Sequence, residues 1–508
     1  MGKRRSASHQ ETIWQGQQYQ RSVYDIEPAY FELNHLNLIY ITLSQNTQRF
    51  GYFFTTIMAN NTLVIIGGDA AGMSAASKVR REQPDRKIIV FEKSNYTSYS
   101  ACGIPYFISE TVKSVEELVV RSPETFRTKY NIDVRTMHLV LQADTANKRI
   151  KVLNKDKNEE FWQDYDQLLI ATGGKPYCPD IEGNDADNAF GISTLKSGIN
   201  LENYIEENKP KSAVIIGGGY IGLEMAEALL IRGLKVTLVN RSKQVMNTLD
   251  PDMGTMVSDA MRNLGVTVYC EEELKAFELE GQIIKAVITD KQTIATDIVV
   301  FGIGSSPNTE FLDGSGIELG VKNAIKVNAQ MQTNIKDVWA AGDCAETLHL
   351  VSHKHVYIAL GTIANKTGVV AGSNIAGEKA IFPGVVGTAV CKVCSYEVAR
   401  TGLLEKDLKN LGIEYVTGTI KSKTRAHYYP EAKDITVKLL AEKNSGRLLG
   451  GQIIGEEGAA KRIDVLATAL THNLTLQNII DLDLSYAPPF SPVWDPVQTA
   501  ARKLINDI

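Results

Sequence analysis

Two glycine-rich turns carry the first chemistry open to this sequence. Leu63-Val64-Ile65-Ile66 runs into Gly67-Gly68-Asp69-Ala70-Ala71-Gly72, and Ala213-Val214-Ile215-Ile216 runs into Gly217-Gly218-Gly219-Tyr220-Ile221-Gly222. Glycines there permit a tight turn, close approach of backbone to a pyrophosphate, and close helix–strand packing. The N-terminus of the following helix adds free N–H groups and the positive end of its dipole. The first copy has Asp69 where the middle glycine would stand. It is supported by Glu92, about 20 residues past Gly72, where an acid can hold a ribose diol. The second chemistry is redox. In Ser98-Tyr99-Ser100-Ala101-Cys102-Gly103-Ile104-Pro105-Tyr106, Cys102 precedes a glycine at the apparent start of a helix, where a dipole stabilises a thiolate. No resolving cysteine is local. A reactive thiol there would have to form a mixed disulfide with a small thiol or cycle through a sulfenic acid; the other reading is a buried core cysteine, the usual state of a free thiol.

The elements that hold these groups can be read around them. Each turn follows a buried-strand run and opens a helix of small residues, Met73-Ser74-Ala75-Ala76 and Leu223-Glu224-Met225-Ala226. A second strand follows each helix, Lys87 to Phe91 and Val236 to Val239. Two such units in 508 residues predict two Rossmann-like dinucleotide-binding domains, an α/β fold, and not a solenoid, whose repeats are far shorter. Past about Gly384, the alternation in Ile435-Thr436-Val437-Lys438-Leu439-Leu440 and a helix beginning near Gly458 predict a separate α+β domain. Residues 1–58 are rich in Gln, Asn and Tyr without sustained periodicity, and are read as an extension of no assigned role.

Composition narrows the function. With 54 Lys+Arg against 59 Asp+Glu the net charge is −5, which argues against a nucleic-acid partner. Six cysteines in so long a chain form no disulfide framework and suit a reducing, cytoplasmic compartment. No stretch reaches the ~18 apolar residues of a membrane span; the nearest, Leu36 to Met58, is broken by Asn37, Gln45, Asn46 and Arg49. Cys391 and Cys394 are spaced C-x-x-C, but a zinc site usually wants four ligands and no second pair exists. Three apart on a strand they face opposite ways, so both are read as core and no metal is assigned.

Two further motifs complete an ordered set: Leu169-Ile170-Ala171-Thr172-Gly173-Gly174, and Thr333 through Asp343, a short strand ending in Ala341-Gly342-Asp343. With them the chain resembles the pyridine-nucleotide disulfide oxidoreductases over about residues 60 to 508. The resemblance implies FAD at Gly67, Asp69, Ala70, Ala71, Gly72, Glu92, Lys93, Ala171, Thr172, Gly173, Gly342 and Asp343, the last on the ribityl chain. It implies NAD(P)H at Gly217, Gly219, Tyr220, Ile221, Gly222, Asn240, Arg241 and Gly304. The FAD domain would be split, 59–180 and 304–380, around an NAD(P)H domain at 181–303, with a dimerisation domain at 381–508. Asn240-Arg241 stands where an NADH enzyme would usually present an acid, which favours NADPH, with NADH as the other possibility.

Glutathione-reductase-like relatives carry a second cysteine five positions on, where this chain has Phe107. Single-cysteine relatives that reduce peroxide or oxygen typically have a histidine at the position of Ala70. Cys102-Gly103-Ile104-Pro105-Tyr106, Ala426-His427-Tyr428-Tyr429-Pro430 and Tyr486-Ala487-Pro488-Pro489-Phe490-Ser491 look instead like coenzyme A disulfide reductases. In that group tyrosines of the C-terminal domain reach the cysteine of the partner subunit, positions matched by Tyr428 and Tyr486. Ser98 matches a substrate contact of the group. Ser74, Lys78 and Arg81 share one helix face, which could bind the phosphates of coenzyme A or be an ordinary solvated basic face. The expected protein is a homodimeric FAD enzyme that reduces coenzyme A disulfide, or a persulfide, with NAD(P)H through Cys102. The alternatives are an NAD(P)H oxidase or peroxidase using a Cys102 sulfenate, and a flavoprotein redox sensor without turnover.

Overall fold

The computed structural model describes residues 61–508; the extension expected at 1–58 lies outside the described residues. Leu63–Ile66 is apolar and buried at all four positions. A strand covered on both faces calls for a parallel sheet with further layers above and below. It is the centre of a five-stranded parallel sheet ordered Val338–Ala340, Gln167–Ile170, Leu63–Ile66, Ile88–Phe91, Asp133–Arg135. The helices Ala70–Glu82 and Gly361–Ile375 pack together on one face. They cross so closely that a Cβ at Gly368 would stand 2.3 Å from the Ala71 carbonyl oxygen. A three-stranded antiparallel sheet, His138–Asp144, Arg149–Asn154 and Glu159–Asp164, covers the other face.

The second sheet repeats the plan with Thr267–Cys270, Lys235–Asn240, Ser212–Ile216, Ile298–Phe301 and Ala189–Gly191, all parallel. The chain passes between the two units through Gly174–Pro176 and Ser305–Pro307, which pair antiparallel. The C-terminal part is a five-stranded antiparallel sheet ordered Ala389–Val393, Tyr396–Gly402, Leu448–Gly455, Asp434–Glu442, Tyr415–Lys423. The helices Ala459–Thr471 and Pro496–Leu504 share its core. Among the described residues no helix is long and apolar enough to cross a membrane.

The strand Asp434–Glu442 alternates in sequence but is buried on both faces, with Thr436 and Lys438 only 5% and 3% exposed. The N-terminal end of the helix Pro251–Leu264, with its cap Asp250, covers Lys438, whose Nζ lies 3.2 Å from Asp250, 2.7 Å from Asp252 and 2.7 Å from Glu405. Cys391 is buried as read, but Cys394 is not a core strand residue. It falls past Ala389–Val393 in a turn, with φ 56, and donates its N–H to Glu227 Oε2 at 2.9 Å.

Candidate active site

The first turn is built by backbone contacts that only glycine allows. Gly67 has φ +105, and a Cβ there would lie 2.1 Å from the Ala171 carbonyl oxygen. The turn therefore touches Ala171-Thr172-Gly173, whose geometry is fixed by Thr172 Oγ1 donating to the Asn308 carbonyl at 2.7 Å. Glu92 Oε2 accepts the Gly68 N–H at 2.9 Å and Oε1 accepts the Ser94 N–H at 2.8 Å, while Lys93 is exposed beside it. From the opposite side, Gly342 donates its N–H to Thr367 Oγ1 at 3.0 Å and packs on Ala71, with Asp343 next in line. Asp343 Oδ1 is buried with no hydrogen-bond partner. Burial pushes that carboxyl up to about 6. An orphaned acceptor facing a glycine turn calls for a ligand hydroxyl, which fits the ribityl chain of FAD.

The second turn has the same form. Gly217 has φ +102, and a Cβ at Gly222 would lie 2.1 Å from the Gly217 carbonyl oxygen. Gly219 precedes the helix Tyr220–Ile231, Ile221 is half-buried on its first turn, and Gly302 and Ile303 pack on Gly217, with Gly304 following at φ +106. Asn240, expected to contact the nucleotide, is bonded to the turn itself. It is 7% exposed; its Oδ1 accepts the Gly218 N–H at 3.2 Å, and Nδ2 donates to the Ser242 and Gln244 carbonyls at 3.1 and 2.8 Å. Arg241 and Lys243 are exposed at the same strand end.

Cys102 lies in a 3-10 turn, Ala101–Gly103, that leads into the helix Ile104–Ile108. The approach loop is tied to the first glycine turn. Ser98, at φ 45, donates its N–H to the Gly68 carbonyl at 3.1 Å, and Tyr99 donates its N–H to Asp69 Oδ1 at 3.1 Å. Cys102 is open to solvent, yet partial burial of the thiol and then the carboxylates of Glu224, Asp343 and Asp69 push it up, not down. A five-residue helix has little dipole to offer against three acids. Burial likewise pushes Asp69 up to about 7, against the Tyr99 hydrogen bond.

Glu224 was not singled out from the sequence. Burial, then the neighbouring Glu227, raises it to about 7. Its signal was there: two acids three apart in the otherwise apolar stretch Leu223-Glu224-Met225-Ala226-Glu227-Ala228-Leu229, hence on one face of the helix.

The other expected site residues fall in two places. Ser74 Oγ donates to Asn365 Oδ1 at 2.8 Å, and Lys78 pairs with Glu82 and Glu378 at 2.7 and 2.9 Å, which leaves the exposed Arg81 as the free cation of that face among the described residues. Tyr428 and Tyr486 are 65% and 45% exposed in the C-terminal part. The Tyr428 hydroxyl beside it raises the Tyr486 hydroxyl, so the fold brings these two together. The segments that carry them are joined by the Ala426 N–H donating to the Pro488 carbonyl at 3.1 Å. No hydrogen bond among the described residues joins either tyrosine to the Cys102 segment. The two acidic trios that could hold a metal each enclose a protein cation: Arg232 among Glu110, Glu202 and Glu206, and Lys438 among Asp250, Asp252 and Glu405.

Residues 61–368 match the family described as pyridine nucleotide-disulphide oxidoreductase, and residues 388–496 match its dimerisation domain. The chain belongs to that family. It is an FAD- and NAD(P)H-dependent oxidoreductase. The chain is 39% identical over 450 residues, 88% of its length and 100% of the relative, to an NAD(P)H sulfur oxidoreductase (CoA-dependent) of Pyrococcus furiosus. It is 37% identical over 446 residues, 88% of its length and 99% of the relative, to an NADH oxidase of Methanocaldococcus jannaschii. A solved structure of reduced Bacillus anthracis CoADR-RHD superposes with a TM-score of 0.85 at 36% identity, covering 88% of this chain and 80% of that one. The lone thiol is thus set in an oxidoreductase family whose sampled relatives include both sulfur reduction and oxidation of NADH.

Proposed function

We propose that this protein reduces a disulfide or persulfide of coenzyme A with NAD(P)H through Cys102. The observation that carries this reading is that the solvent-open Cys102 sits on a loop tied to the first glycine turn, Ser98 donating its N–H to the Gly68 carbonyl and Tyr99 its N–H to Asp69 Oδ1. FAD in that turn, held by Gly67, Glu92, Thr172 and Asp343, would supply hydride acceptance and the delivery of an electron pair to sulfur. NAD(P)H is assigned to Gly217, Gly219, Gly222 and Arg241. The FAD domain then comprises 59–180 and 304–380, the nicotinamide domain 181–303, and the dimerisation domain 381–508.

The chemistry of the chain's own residues follows. The Cys102 thiolate attacks one sulfur of coenzyme A disulfide; a new S–S bond forms to Cys102, and the other coenzyme A leaves as thiolate and takes a proton. An electron pair, derived from NAD(P)H, then breaks the mixed disulfide, restoring the Cys102 thiolate and releasing the second coenzyme A, which also takes a proton. Each turnover consumes one disulfide, one NAD(P)H and one proton and yields two thiols. Tyr428 and Tyr486 of a second copy are assigned as the acid for the departing thiol. Support comes from their exposure, from the neighbouring Phe490 and Val493, 77% and 68% exposed, and from the dimerisation-domain match. The CoA-dependent relative supports coenzyme A as the thiol carrier, and a reducing cytoplasm suits one free catalytic thiol.

Steady-state oxidation of NADPH with coenzyme A disulfide, compared with oxygen and peroxide alone, tests this. Disulfide should raise the rate at least tenfold over oxygen. A rate independent of disulfide would establish the oxidase reading in its place.

A further inference from the structure

The helix that follows Cys102 precedes the second unit in sequence but is packed into that unit's core. Ile104, Phe107 and Ile108 share one apolar cluster with Leu195, Leu201 and Leu223. A Cβ at Gly198, in the helix Leu195–Asn208, would stand 2.6 Å from Ile104, so the two helices meet with no room for a side chain. The Cys102 turn is thus anchored at its C-terminal side to the second unit, and at its N-terminal side to the first glycine turn through Ser98 and Tyr99.

One side chain locks the C-terminal anchor. Arg232 caps the helix Tyr220–Ile231, which begins at the second glycine turn. Its side chain is only 9% exposed. NH1 donates to the Ile108 carbonyl at 3.0 Å and to Glu202 at 2.7 Å, NH2 pairs with Glu206, and Nε lies 3.4 Å from Glu110. The guanidinium therefore spans three pieces of chain: the end of the Cys102 helix with its following turn, the helix Leu195–Asn208, and its own helix. The fork geometry of arginine lets one group make all of these bonds at once, which a lysine cannot do.

We propose that Arg232 is a positioning residue for Cys102, holding the cysteine helix against the nicotinamide unit so that the thiol keeps its distance from the first glycine turn. This rests on the reading of Cys102 as the redox thiol. Group transfer between fixed sites falls steeply when reacting atoms are misplaced by an ångström.

The test compares wild type, Arg232→Met and Arg232→Lys as flavin-loaded proteins. Flavin reduction by NADPH in a single turnover should stay within about twofold of wild type, and kcat for disulfide reduction should fall about tenfold or more in Arg232→Met with KM little changed. Alkylation of Cys102 by iodoacetamide in the reduced enzyme should accelerate severalfold in Arg232→Met as the helix loosens, with Arg232→Lys between the two. Unchanged kcat and unchanged alkylation would overturn the proposal. So would loss of flavin, or parallel slowing of flavin reduction and disulfide reduction, in both variants, since either makes Arg232 a folding element. Alkylation does not depend on the disulfide used. A wild type that ignores coenzyme A disulfide would therefore refute the substrate reading and leave the positioning test standing.

Discussion

Asn240 accepts the backbone N–H of Gly218 at 3.2 Å, with its whole carboxamide buried beneath the second glycine turn. The first turn does the same with a carboxylate: Glu92 accepts the Gly68 N–H at 2.9 Å. The two units use the same strand-end position to hold the turn, one with a charged residue and one with a neutral one. Glu92 presents a second oxygen to the Ser94 N–H, whereas both hydrogens of the Asn240 amide are taken by the Ser242 and Gln244 carbonyls. On the proposed assignment of this unit to NAD(P)H, the exposed Arg241 and Lys243 are the cations offered to a 2′-phosphate.

The first prediction follows. Arg241→Ala should raise KM for NADPH about tenfold, roughly 1.4 kcal/mol, while KM for NADH moves less than twofold. Steady-state kinetics with both nucleotides checks this, and an equal change for the two would remove Arg241 from nucleotide selection.

Cys102→Ser should retain flavin and still be reduced by NADPH, and should lose disulfide reduction by at least a thousandfold, because a hydroxyl cannot undergo thiol–disulfide exchange. Intact mass of the untreated wild type should include an adduct of coenzyme A size that disappears on reduction and is absent from the serine variant. A sulfenic acid trapped at Cys102, without that adduct, would support peroxide chemistry. Tyr428→Phe combined with Tyr486→Phe should slow turnover about a hundredfold with flavin content unchanged.

Glu224 gives a pH signature. Its folded value, about 7, lies above the ordinary 4.5, so the folded protein holds this proton more tightly than the unfolded chain. Stability linked to it is fully present below 4.5 and is lost as pH rises through about 7. Glu224→Gln should therefore flatten the fall in unfolding free energy across that window, by on the order of 1–3 kcal/mol. Because the Glu224 carboxylate also raises the Cys102 thiol, the same variant should shift the alkylation titration of Cys102 to lower pH. A midpoint that does not fall would mean Glu224 does not act on the thiol.

Lys438 is buried among Asp250, Asp252 and Glu405 at the join between the second unit and the C-terminal sheet. Lys438→Met leaves Asp250, 2% exposed, without its cation and should cost about 3–5 kcal/mol of unfolding free energy, read by denaturant titration. Lys406→Met, a solvent-facing neighbour, should cost under about 1 kcal/mol.

What could be read from the chain alone was local. Gly67 and Gly217 are legible because a left-handed turn tight against a carbonyl oxygen excludes every side chain, and that requirement sits within a few residues of sequence. The lone thiol at Cys102, with Phe107 five positions on, is likewise visible without a fold. The charge state of that thiol was not legible, since it depends on Asp69, Asp343 and Glu224, which come from three distant segments. The bond of Asn240 to the Gly218 N–H was not legible either, because it forms only when the turn closes over the strand end. The burial of Lys438 and Thr436 was not legible, because period-two alternation records the sheet and not what lies upon it. Arg232 carried no local pattern at all. Burial, long-range hydrogen bonds and summed electrostatics are properties of groups brought together from far along the chain, so these roles were decided by tertiary structure.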